Sequence, residues 1–176
     1  YAGEFRYAID LMHLVKKHFG NEFALIVAAY PEYHPEAQSP DADLNAFVTK
    51  AKAGATSAIT QYFFNADAYF HFVEGATQNG VNIPIIPGIM PIMSFSKLAR
   101  FSDNCGAEIP RWMRRKFESY CDDFASIRAF GLDVVTILCA KLLEAGAPGL
   151  HFYSMNQADL ILEIIQRLKS VGLWKR

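Results

Sequence analysis

The apolar run Ile26-Val27-Ala28-Ala29 leads directly into Tyr30-Pro31-Glu32-Tyr33-His34-Pro35-Glu36-Ala37, and this junction constrains the fold more than any other stretch. A continuous apolar run behind the turn signal Gly20-Asn21 suits a strand buried on both faces. Pro31 and Pro35 then exclude helix and ladder, so the polar cluster is predicted as a loop at the strand's C-terminal end. In parallel α/β architectures ligands bind at that end. The plainer reading is an edge strand followed by a solvated loop, which leaves Tyr30 and His34 without a use.

The rest of the chain repeats the theme. Phe5, Ala8, Met12, Val15 and Phe19 form a helical stripe closed by Gly20, and the strand Phe23–Ala29 follows. Asp41 and Asp43 sit where an N-cap and a first-turn acid belong, ahead of Leu44, Phe47 and Ala51 at helical spacing to Gly54. A second apolar run covers residues 57–64, and Asn65 or Asp67 caps a helix that closes at Asn79-Gly80. The third strand is predicted at Ile83–Ile86, with Pro87-Gly88-Ile89-Met90-Pro91 terminating it. Ser94 caps a short helix through Phe101, and Pro110 suits the start of another. A long helix from Asp123 to Glu144, a strand Leu150–Tyr153 and a last helix over Ala158–Lys169 complete the pattern.

Strand followed by helix, four times, predicts parallel strands joined by right-handed crossovers. No Gly-rich phosphate loop follows the first strand, which argues against a dinucleotide-binding Rossmann domain. Each strand instead ends in its own polar group: Tyr30 and His34, then Gln61, then Pro87-Gly88, then Tyr153 and Asn156. That is the habit of a (β/α)8 barrel, of which only four βα units are present in a single domain, 1–176.

With 52% hydrophobic and 20% charged residues the chain is globular, and its net charge of −1 gives no electrostatic case for nucleic acid or an anionic membrane. No apolar run reaches the roughly 18 residues that span a bilayer. No basic segment followed by an apolar one, as in a secretory leader, is visible at the start. Cys105, Cys121 and Cys139 show no metal-ligand spacing; they are read as reduced thiols of a cytoplasmic protein, with Cys139 buried in a helix. No metal is expected.

The runs Ala28–Ala37 (with its YPxxHPEA pattern), Ile59–Phe64, Ile86–Pro91 and Leu150–Asn156 (HFYxxN) resemble those of 5,10-methylenetetrahydrofolate reductases, in order and in spacing. The resemblance covers nearly the whole chain. It implies a flavoprotein on a (β/α)8 TIM-type barrel, in which FAD takes a hydride from NAD(P)H and passes it to methylenetetrahydrofolate, giving 5-methyltetrahydrofolate for methionine biosynthesis. Only strands five to eight are matched. The family's catalytic glutamate lies upstream of the matched part, so no catalytic residue is assigned in this chain.

By the same resemblance Tyr30, His34, Ala37, Asp43 and Lys50 are cofactor-binding, toward FAD. Ala46 and Thr49 stand where the family has further polar flavin contacts, and Ala46 can offer only backbone or packing. Gln61, Lys97, Phe101 and Gln157 are matched to folate or nicotinamide contacts. Gln61 interrupts an apolar strand, where an unpaired amide costs on the order of 1–3 kcal/mol; an amide bearing donor and acceptor can read a pterin edge, or can be held structurally by nearby backbone. Two positions depart from the family pattern. Lys97 replaces a glutamine common in bacterial relatives, and Gln157 replaces an arginine that would pair with the glutamate tail of folate. Lys97 is expected to supply the missing cation.

Four βα units expose two strand edges, so the chain alone is expected to self-associate as a homo-oligomer or aggregate. It is read as a fragment of a longer enzyme or a truncated relative, inactive alone, and the ending Leu173-Trp174-Lys175-Arg176 suggests a chain that continues. A non-catalytic folate- or flavin-binding paralogue or partner subunit is the alternative.

Overall fold

Asp10 sets where the first helix begins. Its carboxylate accepts from the backbone N–H groups of Arg6 and Tyr7, at 3.0 and 2.9 Å. Helix α1 therefore spans Ala8–Phe19 and starts three residues later than the apolar stripe predicts. The computed structural model describes Gly3 and residues 5–174; Lys175 and Arg176, the last two residues of the ending read as that of a continuing chain, lie outside the described residues. Of the α1 stripe, Met12 alone is fully buried, while Phe5 and Phe19 are exposed.

Strand β1 (Ile26–Ala29) is shorter than Phe23–Ala29 and is covered on one face only. Val27 and Ala29 are buried, whereas Ile26 is 58% exposed, which corrects the prediction of a strand buried on both faces. Residues of period two explain the split: one set meets the helices and the other faces away from them. Helix α2 (Pro40–Lys52) is capped by Ser39, whose Oγ accepts from Ala42 N at 3.1 Å, with Pro40 in its first turn. The cap is therefore Ser39 rather than Asp41, and both Asp41 and Asp43 are first-turn acids.

Strand β2 (Ser57–Tyr62) and helix α3 (Ala66–Gln78) follow, the latter capped by Asn65 through Asp67 N at 3.0 Å. Strand β3 covers Ile85–Ile89, so Pro87 and Gly88 lie inside the strand that they were predicted to end. The reason is a bulge in the neighbour. Ile59 pairs with Ile86 and Tyr62 with Gly88, so Thr60 and Gln61 together face Pro87, where the regular ladder that a proline would interrupt is already broken.

Helix α4 (Phe95–Cys105) runs one turn past Phe101, and α5 (Arg111–Ser119) begins after Pro110. Helix α6 (Phe124–Glu144) is capped by Asp123, which accepts from Ser126 N at 3.1 Å. Strand β4 is only His151–Phe152, and α7 (Asp159–Ser170) packs on α6.

The four strands are all parallel and lie in the linear order β1-β2-β3-β4. The fold is α/β, as the alternation predicts. Its core lies between the sheet and the helices, around Phe47, Phe63, Ile89, Phe117, Leu142 and Leu168. Neither outer edge, of β1 or of β4, has a partner strand among the described residues.

Candidate functional site

Because every strand points the same way, Tyr30, Gln61, Met90 and Tyr153 all emerge at one end of the sheet, and the loops that follow gather there. After β1, Tyr30 and His34 meet edge to face, with ring centroids 4.6 Å apart. The His34 ring is fixed by its own loop: Nδ1 accepts from Glu36 N at 3.1 Å, so a neutral ring carries its proton on Nε2 and can donate outward. Ala37 N donates to His34 O at 2.9 Å and closes the same turn, while His34 N donates to Asp43 Oδ2 at 3.2 Å. The loop thus docks on the first turn of α2 through one carboxylate.

Burial raises the pKa of Asp43, against the lowering effects of the His34 N–H and the Lys50 charge. Burial likewise holds Lys50 below its ordinary value, with Asp43 opposing. Lys50 Nζ donates to Ala28 O at 2.8 Å on the outer edge of β1. It is half-buried, unlike a typical solvated helix lysine. Thr49 Oγ1 is spent on Asn45 O at 2.7 Å within α2, and Ala46 is exposed. Tyr30 has its phenol pushed up by burial first, then by Asp43 and Cys105.

Gln61 sits in the β2 bulge, half-buried, and its Oε1 accepts from Tyr62 N at 3.0 Å. Its carbonyl is thereby satisfied locally, the structural use foreseen for a buried amide, and Nε2 is left to donate. Lys97 and Phe101 lie one turn apart on α4, both exposed, Phe101 at 44%. Gln157 is exposed in the turn after β4, its N–H donating to Ser154 O at 2.9 Å. Met155 and Asn156 in that turn take left-handed backbone, with φ of 48° and 63°.

Other residues complete the rim. Tyr62 Oη lies 3.1 Å from Ser102 Oγ and accepts from Cys105 Sγ at 3.3 Å, and burial pushes its phenol far up. Glu108 N donates to Glu32 Oε2 at 2.8 Å, pinning the α4–α5 connection to the β1 loop. A shallow cleft between Tyr30, Glu32, Gln61, Tyr62 and Cys105 results. None of the α4 contacts was foreseen, since Tyr62 and Cys105 are 43 residues apart and neither belongs to a polar motif. A wider groove lies at the opposite end of the sheet, between Val81–Ile85 and Gly146–Pro148. Its polar members are few, and Tyr69 Oη there is spent on Ile85 O at 2.7 Å. The chemistry-bearing side chains gather at the rim instead. Among the described residues no three His, Cys, Asp or Glu side chains form a metal-binding group, and no helix is long and apolar enough to cross a membrane.

A parallel sheet with aromatic, amide and carboxylate groups at its carboxyl rim has the arrangement in which α/β proteins commonly bind ligands. The family model described as methylenetetrahydrofolate reductase matches residues 1–169, and the chain belongs to that family. It is 40% identical over 158 residues to the 5,10-methylenetetrahydrofolate reductase of Buchnera aphidicola subsp. Schizaphis graminum, covering 90% of this chain and 53% of the relative. It is 37% identical over 162 residues to that of Escherichia coli K12, covering 92% and 54%. A probable methylenetetrahydrofolate reductase (NADPH) of Caenorhabditis elegans shares 39% over 169 residues, 96% of this chain and 25% of that one. The chain therefore spans about half the length of the bacterial relatives it matches. Among solved structures, an uncharacterized protein from Clostridium thermocellum that binds two copies of 5-methyl-5,6,7,8-tetrahydrofolic acid shares the fold. Its TM-score is 0.63 at 21% identity, over 93% of this chain and 59% of that one.

Proposed function

We propose that this chain forms strands five to eight of a (β/α)8 barrel and that, in the closed barrel, its rim binds FAD and a reduced folate for the NAD(P)H-dependent reduction of 5,10-methylenetetrahydrofolate. The observation that carries this reading is the convergence of Tyr30, His34, Gln61 and Asn156 at one end of a parallel sheet whose two outer edges are unpaired among the described residues. The unpaired edges, with Ile26 of β1 exposed, suit pairing with a second set of βα units, and in its absence self-association. Folate binding by the structurally similar Clostridium protein and the names of the relatives support the same ligand class.

The residues present fit a flavin. Tyr30 offers an aromatic edge, His34 a free Nε2 donor, and Asp43 a half-buried carboxylate for a ribose hydroxyl. Ala37 keeps the turn small, and Lys50 brings a cation beside Asp43. FAD would supply hydride acceptance and transfer; this chain's part is to bind and orient. Gln61, with Oε1 held by Tyr62 N, presents Nε2 as a donor toward folate or nicotinamide. Phe101 offers an exposed aromatic face for stacking, and Lys97 one turn away supplies the cation that Gln157 cannot.

The test is made on the full chain in which this sequence occurs. The purified protein is expected to be yellow and to form 5-methyltetrahydrofolate. His34→Ala should weaken flavin retention, while Gln61→Ala and Lys97→Ala should raise the folate KM with flavin retained. A colourless protein that binds neither FAD nor 5-methyltetrahydrofolate would overturn the reading. Binding without turnover would instead identify a non-catalytic relative.

A further inference from the structure

Gln61 owes its position to an irregularity, so what holds that irregularity decides where the amide points. Thr60 and Gln61 together stand opposite Pro87, and a bulge of this kind re-aims the side chain at the break. Three hydrogen bonds close on it. Gly88 N donates to Thr60 Oγ1 at 2.8 Å, and Tyr62 N donates to Gln61 Oε1 at 3.0 Å. The third comes from across the sheet: Tyr153 Oη, just past β4, passes over β3 and donates to Thr60 O at 2.9 Å. That path exists because residue 88 has no side chain. A Cβ there would lie 2.7 Å from Tyr153 Cε2 and would overlap Thr60 O. Burial raises the Tyr153 pKa, so the hydroxyl keeps the proton it donates.

We propose that Tyr153 is a positioning residue for Gln61: its hydroxyl, reaching over Gly88 to the Thr60 carbonyl, locks the β2 bulge in the arrangement that ties down Gln61 Oε1 and leaves Nε2 to the ligand. The inference rests on the reading of the rim as a folate site and adds a residue that acts through another, without touching the ligand through its hydroxyl. Thr60 O lies in the shifted stretch of β2 and accepts from the Tyr153 hydroxyl there. Removing that donor frees the bulge to shift while leaving Gln61 itself unchanged.

A double-mutant cycle on the full chain tests this, with 5-methyltetrahydrofolate as the probe, its Kd read by calorimetry, and flavin retention as the control. Gln61→Ala is expected to weaken the probe tenfold or more. Tyr153→Phe should weaken it about 3–10-fold in the parent, the range for loss of one hydrogen bond, and less than about twofold when Gln61 is already alanine. Flavin retention should stay level in both. Thr60→Val, which removes the Gly88 bond from the same bulge, should reproduce the pattern and serves if Tyr153→Phe folds poorly. Equal losses in both backgrounds, or no loss from Tyr153→Phe and Thr60→Val, would overturn the proposal alone. An unchanged Kd for Gln61→Ala would overturn the folate reading and this proposal together.

Discussion

Replacing Gly88 with alanine is the sharpest probe of how the rim is built. Its backbone φ is not in the left-handed region, so the change brings no conformational strain of that kind. Its effect is steric: the new methyl would sit 2.7 Å from Tyr153 Cε2 and collide with Thr60 O. The second obstacle is backbone in a central strand, which cannot swing aside as a long side chain can. Overpacking of this sort costs about 1–3 kcal/mol. Displacing Tyr153 also strips Thr60 O of its donor, for another 1–3 kcal/mol or so. The expected loss is about 2–6 kcal/mol, a large part of the stability of an ordinary domain. For a chain of this length the midpoint should fall by roughly 5–20 °C. Urea and thermal unfolding followed by far-UV circular dichroism would measure it. Gly149→Ala is the control, because among the described residues nothing lies within 4 Å of a Cβ there. Should Gly88→Ala match the control within about 0.5 kcal/mol, the crossing of Tyr153 over β3 is not what holds this region together.

Ser39→Ala removes the side-chain cap of α2 and should cost about 1 kcal/mol in denaturant titrations, with Asp41→Ala costing less. Cys139 is buried and its thiol is pushed up to about 12, so a thiol reagent at pH 8 should label exposed Cys121 first, half-buried Cys105 more slowly, and Cys139 only after unfolding. Burial raises the pKa of Glu32, so the native state binds this proton more tightly than the unfolded chain does, and the associated stability is present at low pH and lost as pH rises through the native value. Glu32→Gln keeps an acceptor for Glu108 N without the charge; its midpoint should exceed the parent's near pH 7 and converge with it toward pH 4, and a pH-independent difference would contradict the assignment.

The alternation of apolar runs with helical stripes was enough to predict the parallel sheet, because crossovers of that length leave few other options. The rim was legible too, since Tyr30, His34, Gln61 and Asn156 are polar groups directly after apolar runs. Local rules failed where distant contacts overrode them. Pro87-Gly88 carries a strong stop signal, yet the bulge in β2 removes the ladder bond that proline would have broken, and Tyr153 uses the space that glycine leaves. The Ser39 cap was hidden by the more conspicuous acids behind it, although Ser-Pro is itself a helix-start signal. The α4 contacts with Tyr62 and the Glu32–Glu108 tie join segments 40 to 76 residues apart, and no periodicity in the chain encodes them.

Lys50 has a consequence for assembly. Leu25 O turns toward β2, where it accepts from Thr56 N, so the Ala28 carbonyl, three residues on, faces the opposite way, and there the Lys50 ammonium guards it. A strand docking beside β1 competes with the ammonium for that acceptor. The displaced charge remains tethered to α2, next to Asp43 and the His34 loop. In the closed barrel proposed above, the arrival of a neighbouring strand would thus free a cation beside the rim, tying the charge of the rim to the closing of the edge.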